Sequence, residues 1–549
     1  MIVISRRNTT FKKCHVCHHC FPLTFFLLSL IINEIFKVLE LYGTVCISQL
    51  HRIPRRAILG AMMFLACMFS YMIRTNLSIT IVAMVNATSK SGTSGPACSA
   101  PIATNSSNST YKPTVLPDYG ERFEWNQHIQ GLLLSGYFYG VIPASVPAGL
   151  LAERYGGSKV VAFATLIPAV LNLLMPWASG IHYGLVFALR FLMGFFGAAV
   201  YPALHAMIAR WVPPGEKGIF VWTMQGGPFG TVVTFTLCGQ IISAFGWKAA
   251  YYVTSVLILI FYALWVLLIY DTPDLHPNIT ESEKAHIKEQ IGTSVSKQKV
   301  KLPVRAVATS VPFIVLLWAH FANMWGIYFI ATNGPKYTLE VLGFNMKSGG
   351  SITGLPYIAR LGAGVLFAAA GDYVRKKNIL TLKWIRKIFM IFSHMGPAIA
   401  LIIMTYVGCD AVTAIVMLIV ALTFNGAACQ TSLQNHQDLA PNFAGSLYGI
   451  MNTFGSFAGF IIPPVIGVLT NERNGVEEWR VMFWISSAVF TSATILFWLF
   501  GSAEIQPWND LSQQKVPTIS DEETRMTEIP TKEARTEEEE EDNEYKASL

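Results

Sequence analysis

Long apolar runs alternate with short polar connections along most of this chain. The first run, Ala57 to Val85, covers nearly thirty residues, enough at about 1.5 Å of rise per residue to cross a hydrocarbon core of roughly 30 Å with some tilt. Further runs fall at about 129–150, 159–178, 183–209, 219–244 and 249–270. After a polar stretch, a second set follows at about 310–333, 350–371, 386–406, 411–434, 444–469 and 481–501. The pattern predicts an all-α membrane protein of twelve helices in two six-helix bundles, 52–270 and 310–501, joined by a linker at 271–309.

The polar connections orient these helices. Arg52, Arg55 and Arg56 precede the first run, which predicts a cytoplasmic start by the positive-inside rule. Lys284, Lys288, Lys297, Lys299 and Lys301 in the linker, and Arg375, Lys376, Lys377, Lys383, Arg386 and Lys387 after the eighth run, give the same sidedness. The loop 86–127 then lies outside or in a lumen. It is rich in Ser, Thr, Asn and Gly and carries glycosylation sequons at Asn86, Asn105 and Asn108. A further sequon at Asn278 falls on the cytoplasmic side and is expected to be silent. The tail, 502–549, ends in the acidic run Glu537 to Asp542, which cannot build a core and is expected to be disordered.

Composition adds one exclusion. With 52% hydrophobic and 13% charged residues among 549, the net charge of +7 is loop charge that sets topology. No basic stripe interleaved with aromatics suggests nucleic acid. The first segment, 1–51, is harder to assign: Phe21 to Ile32 is apolar for only about a dozen residues before Asn33, Glu34, Lys37 and Glu40 interrupt it. It reads as an interfacial helix, a leader or an additional span. Within it, Cys14, Cys17 and Cys20 interleave with His15, His18 and His19, but no second ligand pair follows, so no metal site is expected. The nine cysteines are scattered, mostly in spans, which argues against a disulfide framework; only Cys98 lies clearly in an external loop.

The residues that stand out chemically are charges inside apolar runs. Arg74 interrupts the first span, and a charge at that depth costs at least about 2.5 to 3.5 kcal/mol, so it is expected to face a protein interior or a water-filled cavity. Arg190, His320 and Arg360 are similarly deep, and all can be cationic. A cavity lined this way attracts a carboxylate or phosphate, because a guanidinium holds either through two parallel hydrogen bonds. Asn76, Tyr137, Trp325 and Tyr328 are further candidates for its walls. His320 alone titrates near neutrality, which makes it a proton-linked candidate as well as a structural one. His205 and His436 lie toward cytoplasmic ends and read as structural. No nucleophile and base pair and no phosphate-cradling loop appears, so a membrane enzyme is not expected.

Two connections repeat a pattern. GLLAERYGGSK, Gly149 to Lys159, follows the second run, and AAAGDYVRKK, Ala368 to Lys377, follows the eighth. The first resembles the G-x-x-x-D/E-R-x-G-x-K/R loop motif of the major facilitator superfamily. By that resemblance Glu153, Arg154, Lys159, Asp372 and Arg375 are expected to act as a gate between bundles. RTNLSITIVAMVN, RFLMGFFGAAVYPALHAM, WVPPGEKG, AHFANMWGIYF, NHQDLAPNFAGSLYGIMNT and GSAEIQPWN are similar, in order and spacing over about 52–510, to solute carrier family 17. That family includes sialin-like, vesicular glutamate and sodium-phosphate transporters. The resemblance implies alternating access by a secondary anion transporter without an organic cofactor, a monomer in a plasma, lysosomal or vesicular membrane. It implies anion binding at Arg74 and Arg190 and coupling to sodium or protons. Ala83 and Gly197 stand where the family pattern has acids, which weakens the expectation of proton symport. Leu134 stands where glutamate transporters carry a His. A non-transporting sensor or scaffold on the same fold is the alternative.

Overall fold

The computed structural model describes residues 54–86, 98, 118–213, 220, 223–292 and 302–509. The leader 1–51, Asn105, Asn108 and the tail beyond 509 lie outside the described residues. Among the described residues, eleven helices are long and apolar enough to cross a membrane, and Gln127–Tyr155 makes the twelfth long helix. In chain order they are α1 Arg55–Met84, α2 Gln127–Tyr155, α3 Gly157–Ile181, α4 Tyr183–Ile208, α5 Gly226–Phe245 and α6 Trp247–Leu268. The second set is α7 Val311–Val341, α8 Met346–Lys376, α9 Leu382–Val407, α10 Ala411–Leu439, α11 Pro441–Leu469 and α12 Val476–Phe500.

Several helices outrun the apolar stretches that announce them. Hydropathy marks bilayer depth, whereas a helix continues until a cap satisfies its end. Asn126 Oδ1 accepts the Ile129 amide of α2 at 2.8 Å, and Asn345 Oδ1 accepts the Ser348 amide of α8 at 2.9 Å.

The two sets pack alike. In the first, α1 lies on α5, α2 on α4 and α3 on α6; in the second, α7 lies on α11, α8 on α10 and α9 on α12. Across the halves, α2 meets α11 and α5 meets α8. Large apolar side chains such as Phe163, Trp177 and Leu366 cover the outside, while polar groups pair inside, as in the hydrogen bonds from Asn172 Nδ2 to Ser255 Oγ and Thr254 Oγ1. Such an inversion of the soluble pattern suits a lipid solvent, where buried polar groups tie helices together.

We name the two ends inner, where the loops are rich in lysine and arginine, and outer, the opposite. Described glycines that touch the other bundle do so at mid-span or toward the outer end. The Cβ position of Gly131 lies 2.4 Å from the Pro463 carbonyl, and that of Gly350 lies 2.4 Å from the Phe235 carbonyl. At the outer end, Cys98 forms a disulfide with Cys409, 311 residues away, and its amide donates to the Val341 carbonyl at 3.1 Å. This corrects the expectation drawn from scattered cysteines: one bridge joins the loop after α1 to the turn between α9 and α10. At the inner end the linker helix Glu281–Gly292 clips the start of α1, with Glu283 accepting from the Arg55 and Arg56 amides and pairing with Arg56 Nε at 3.2 Å.

Candidate functional site

Arg74 lies about two-thirds of the way along α1 and is only 7% exposed. Its guanidinium sits among rings: the carbon Cζ is 4.5 Å from the Tyr71 centroid, 5.1 Å from Tyr137, 5.6 Å from Phe138 and 5.6 Å from Tyr328. Tyr71, three residues earlier, shares its helix face. Tyr137 and Phe138 come from α2, and Tyr328 comes from α7, so both bundles build the cage. Nη1 donates to Tyr328 Oη at 3.0 Å, while Nε has no partner among the described residues. The titratable residues around Arg74 are tyrosines and a second cation, Arg190, and among the described residues no carboxylate forms an ion pair with it. Ring faces attract a cation, each by about 0.5 to 2 kcal/mol, but they do not neutralise it. The net positive charge makes this a place for an anion.

Arg190 stands behind the cage. Its Nη1 and Nη2 donate to the Ile73 and Arg74 carbonyls, both at 3.0 Å, and its Cζ lies 5.3 Å from the Tyr137 ring. It thus braces α1 at the turn that carries Arg74. Close approach of α2 and α4 makes this possible, for a Cβ at Gly194 would stand 1.8 Å from the Tyr137 carbonyl. At Gly197 a Cβ would stand 2.7 Å from Tyr137 Oη, so the tyrosine occupies the region where the family pattern has an acid. Ala83 is buried near the outer end of α1.

Arg360, on α8, is 6% exposed and donates through Nε to Asn425 Oδ1 at 2.9 Å. Asn425 in turn donates to Asn323 Oδ1 at 3.1 Å. Arg360 also lies close enough to Tyr71, a ring of the cage, to act on it electrostatically.

The remaining candidates are placed elsewhere. Asn76 donates to Thr254 Oγ1 at 3.1 Å within the first bundle, and Trp325 Nε1 donates to Ser486 Oγ at 2.9 Å within the second. Asn76, two helical steps on from Arg74, is turned to another face of α1, and Trp325 is held within the second bundle by its bond to α12. His320 is wholly buried, with no hydrogen-bond partner among the described residues, toward the inner end of α7. Sequence reasoning missed Tyr71 and Phe138; the i−3 spacing of Tyr71 from Arg74 was the available signal.

The expected gate residues line the inner ends. Arg154, Lys159, Asp372 and Arg375 are exposed there. The pairings beside them use other side chains: half-buried Arg210 pairs with Asp271, which also accepts from the Ser158 amide, and Arg386 grips Asp438 through Nε at 2.7 Å and Nη2 at 3.2 Å. Asp372 accepts from Gln430 Nε2 at 3.4 Å.

Two repeated six-helix bundles that enclose a buried cationic cage have the architecture of a secondary transporter. The Major Facilitator Superfamily model matches residues 63–463. Sialin of Ovis aries is 33% identical over 444 residues, covering 80% of this chain and 87% of that protein. Vesicular glutamate transporter 2.2 of Danio rerio is 32% identical, covering 83% of this chain and 75% of that protein. Among solved structures, a D-xylose-proton symporter superposes with a TM-score of 0.58 at 13% identity, over 82% of this chain and 98% of the symporter. The chain belongs to the Major Facilitator Superfamily and, within it, to solute carrier family 17, with sialin and the vesicular glutamate transporters. It is a multi-pass membrane protein and an anion transporter, not an enzyme.

Proposed function

We propose that the cage around Arg74 is the substrate site and that it takes a small organic carboxylate. The observation that carries this reading is a buried guanidinium without a carboxylate partner, held by one hydrogen bond to Tyr328 and walled by rings from both bundles. One cation matches one anionic group, and the ring faces suit an apolar or sugar-like body better than a second charge. Arg190 supports the cage from behind, and Arg360 adds positive potential from α8. Vesicular glutamate transporters are named for a carboxylate. Leu134, buried here, supplies no polar group where those transporters carry a His, so glutamate is not the substrate we propose.

Alternating access would rock the two bundles about this site. Tight outer packing and the Cys98–Cys409 bridge support reading the present arrangement as closed outward. In the opposite state Glu153, Arg154, Lys159, Asp372 and Arg375 would serve as the inner gate. We further propose that the protein works as a monomer, glycosylated at Asn86, Asn105 and Asn108, in a plasma, lysosomal or vesicular membrane, with sodium or protons as the coupling ion.

The test is uptake by proteoliposomes containing purified protein, under imposed sodium, proton and voltage gradients, with labelled glucuronate, gluconate, glutamate and inorganic phosphate. Saturable uptake of a monocarboxylate is expected. Uptake confined to phosphate would overturn the carboxylate assignment.

A further inference from the structure

Tyr448 of α11 is the hub of a cluster outside the Arg74 cage. Three histidine rings surround it: His205 of α4 at 5.5 Å, His320 of α7 at 6.1 Å and His436 of α10 at 5.4 Å between centroids. His320 is 0% exposed and His436 is 4% exposed. Both ring nitrogens of His320, Nδ1 of His436 and Nε2 of His205 are buried without a hydrogen-bond partner among the described residues. A neutral imidazole carries one donor and one acceptor, and burying either unpaired is costly. Four such atoms gather about one ring, in a part of the molecule that the substrate reading leaves unexplained.

Placement gives the cluster a use. His205 belongs to the first bundle and the others belong to the second, so the group straddles the interface that must open and close. His320 precedes Tyr328 by eight residues on α7, about 12 Å of helix toward the inner end. The way between is aromatic: Tyr71 of the cage meets Tyr201 edge-on at 6.3 Å, and Tyr201 acts electrostatically on both Tyr71 and Tyr448.

Every other charged or titratable group facing the cluster is either neutral in kind or already engaged. From α1 and α4 these are Cys67, Tyr71 and Tyr201; from α7, Tyr328. From α9, His394 meets the Ala319 carbonyl at 2.9 Å and Ser393 Oγ at 2.7 Å, and Arg386 is paired with Asp438 of α10. Arg360 of α8 reaches Tyr71 and is bonded to Asn425. No unpaired carboxylate in this set fixes the charge of the three imidazoles, so a proton added there changes the net charge of the vestibule.

We propose that His205, His320 and His436, grouped about Tyr448, form the proton-binding station that couples transport to a proton gradient, in place of the acids absent at Ala83 and Gly197. One imidazole lone pair takes a proton as the anion occupies the cage, and both leave on the inner side, so one positive and one negative charge move together. The proposal rests on the cage as anion site, and the experiment separates the two.

Proteoliposomes with the membrane potential clamped at zero are loaded for two measurements with labelled glucuronate. Exchange at equal pH on both sides reports the cage. Steady-state accumulation under a one-unit proton gradient reports coupling, and one proton per monoanion permits up to about tenfold accumulation. Wild type is expected to accumulate severalfold, and the His205→Gln/His320→Gln/His436→Gln variant is expected to fall to a ratio of about one. His320→Gln alone is the second variant should the triple change fail to yield monodisperse protein, and the same fall is expected. Accumulation that persists in a folded variant, or wild-type exchange without proton-driven accumulation, would overturn the station. Absence of wild-type exchange for any anion would instead count against the cage and remove the basis of the proposal with it.

Discussion

Arg74 gains its meaning from what surrounds it. A guanidinium among four rings uses its planar faces as well as its N–H groups, which a lysine ammonium cannot do. Arg74→Lys is therefore expected to keep the charge and still lose at least about tenfold in kcat/KM, or about 1.4 kcal/mol, measured as initial uptake. Arg190 has a different part. Its two hydrogen bonds to the Ile73 and Arg74 carbonyls position α1, so Arg190→Met is expected to lower stability by about 3 kcal/mol, read as a fall in denaturation midpoint in detergent. Gly197 tests the space left by the missing acid. With a Cβ there only 2.7 Å from Tyr137 Oη, Gly197→Glu alone is expected to impair uptake through overpacking of about 1 to 3 kcal/mol, and adding Tyr137→Phe is expected to restore part of it. No restoration in the double variant would mean that the hydroxyl is not the obstacle.

Helices carry these residues with different degrees of regularity. The helix of α9 bulges at Ile391–Met395, and α10 tightens after Asn425 into a narrower coil at Gly426–Gln430. Arg386 fills the irregular region, donating from Nη1 to the Gln430 carbonyl at 2.7 Å and to Gln430 Oε1 at 3.0 Å while holding Asp438. Breaking a buried pair leaves one charge uncompensated, so Asp438→Asn is expected to cost about 3 to 5 kcal/mol, visible in the same denaturation assay. Outside the spans, His276 packs on Tyr270 and Trp211, and burial together with the Arg55 charge lowers its pKa below the ordinary value. A depressed histidine pKa stabilises the linker above the unfolded value, and that contribution is lost as pH falls through the folded one. Amide protection across 273–283, measured as exchange relative to the intrinsic rate at each pH, is expected to fall as pH drops below the usual histidine range. Element existence was legible because apolar runs long enough to span a bilayer admit few other readings. The cage was legible only in part. Arg74 announced itself as a charge in an apolar run and Tyr137 and Tyr328 stood out as candidate walls, but Phe138 reaches the guanidinium through contact between α1 and α2, which periodicity along one helix does not encode. The bridge from Cys98 to Cys409 was illegible for the same reason, its partners lying 311 residues apart.

At the scale of the molecule, two repeated bundles meet tightly toward the outer end and are tied there by that bridge. A protease site introduced within 293–301 would separate the halves covalently everywhere else. After cleavage the two fragments are expected to migrate together on a denaturing gel without reductant and apart with it, and Cys409→Ser is expected to abolish the difference. Separation without reductant would show that the bridge does not form. Both halves contribute to the cage, so the account stands or falls on whether anions pass through it. The most direct measurement is exchange of labelled glucuronate, without any gradient, in proteoliposomes of wild-type protein and Arg74→Ala, with insertion verified by protease protection. The account predicts saturable exchange in wild type and none above protein-free vesicles in the inserted variant. Equal exchange in both would contradict it.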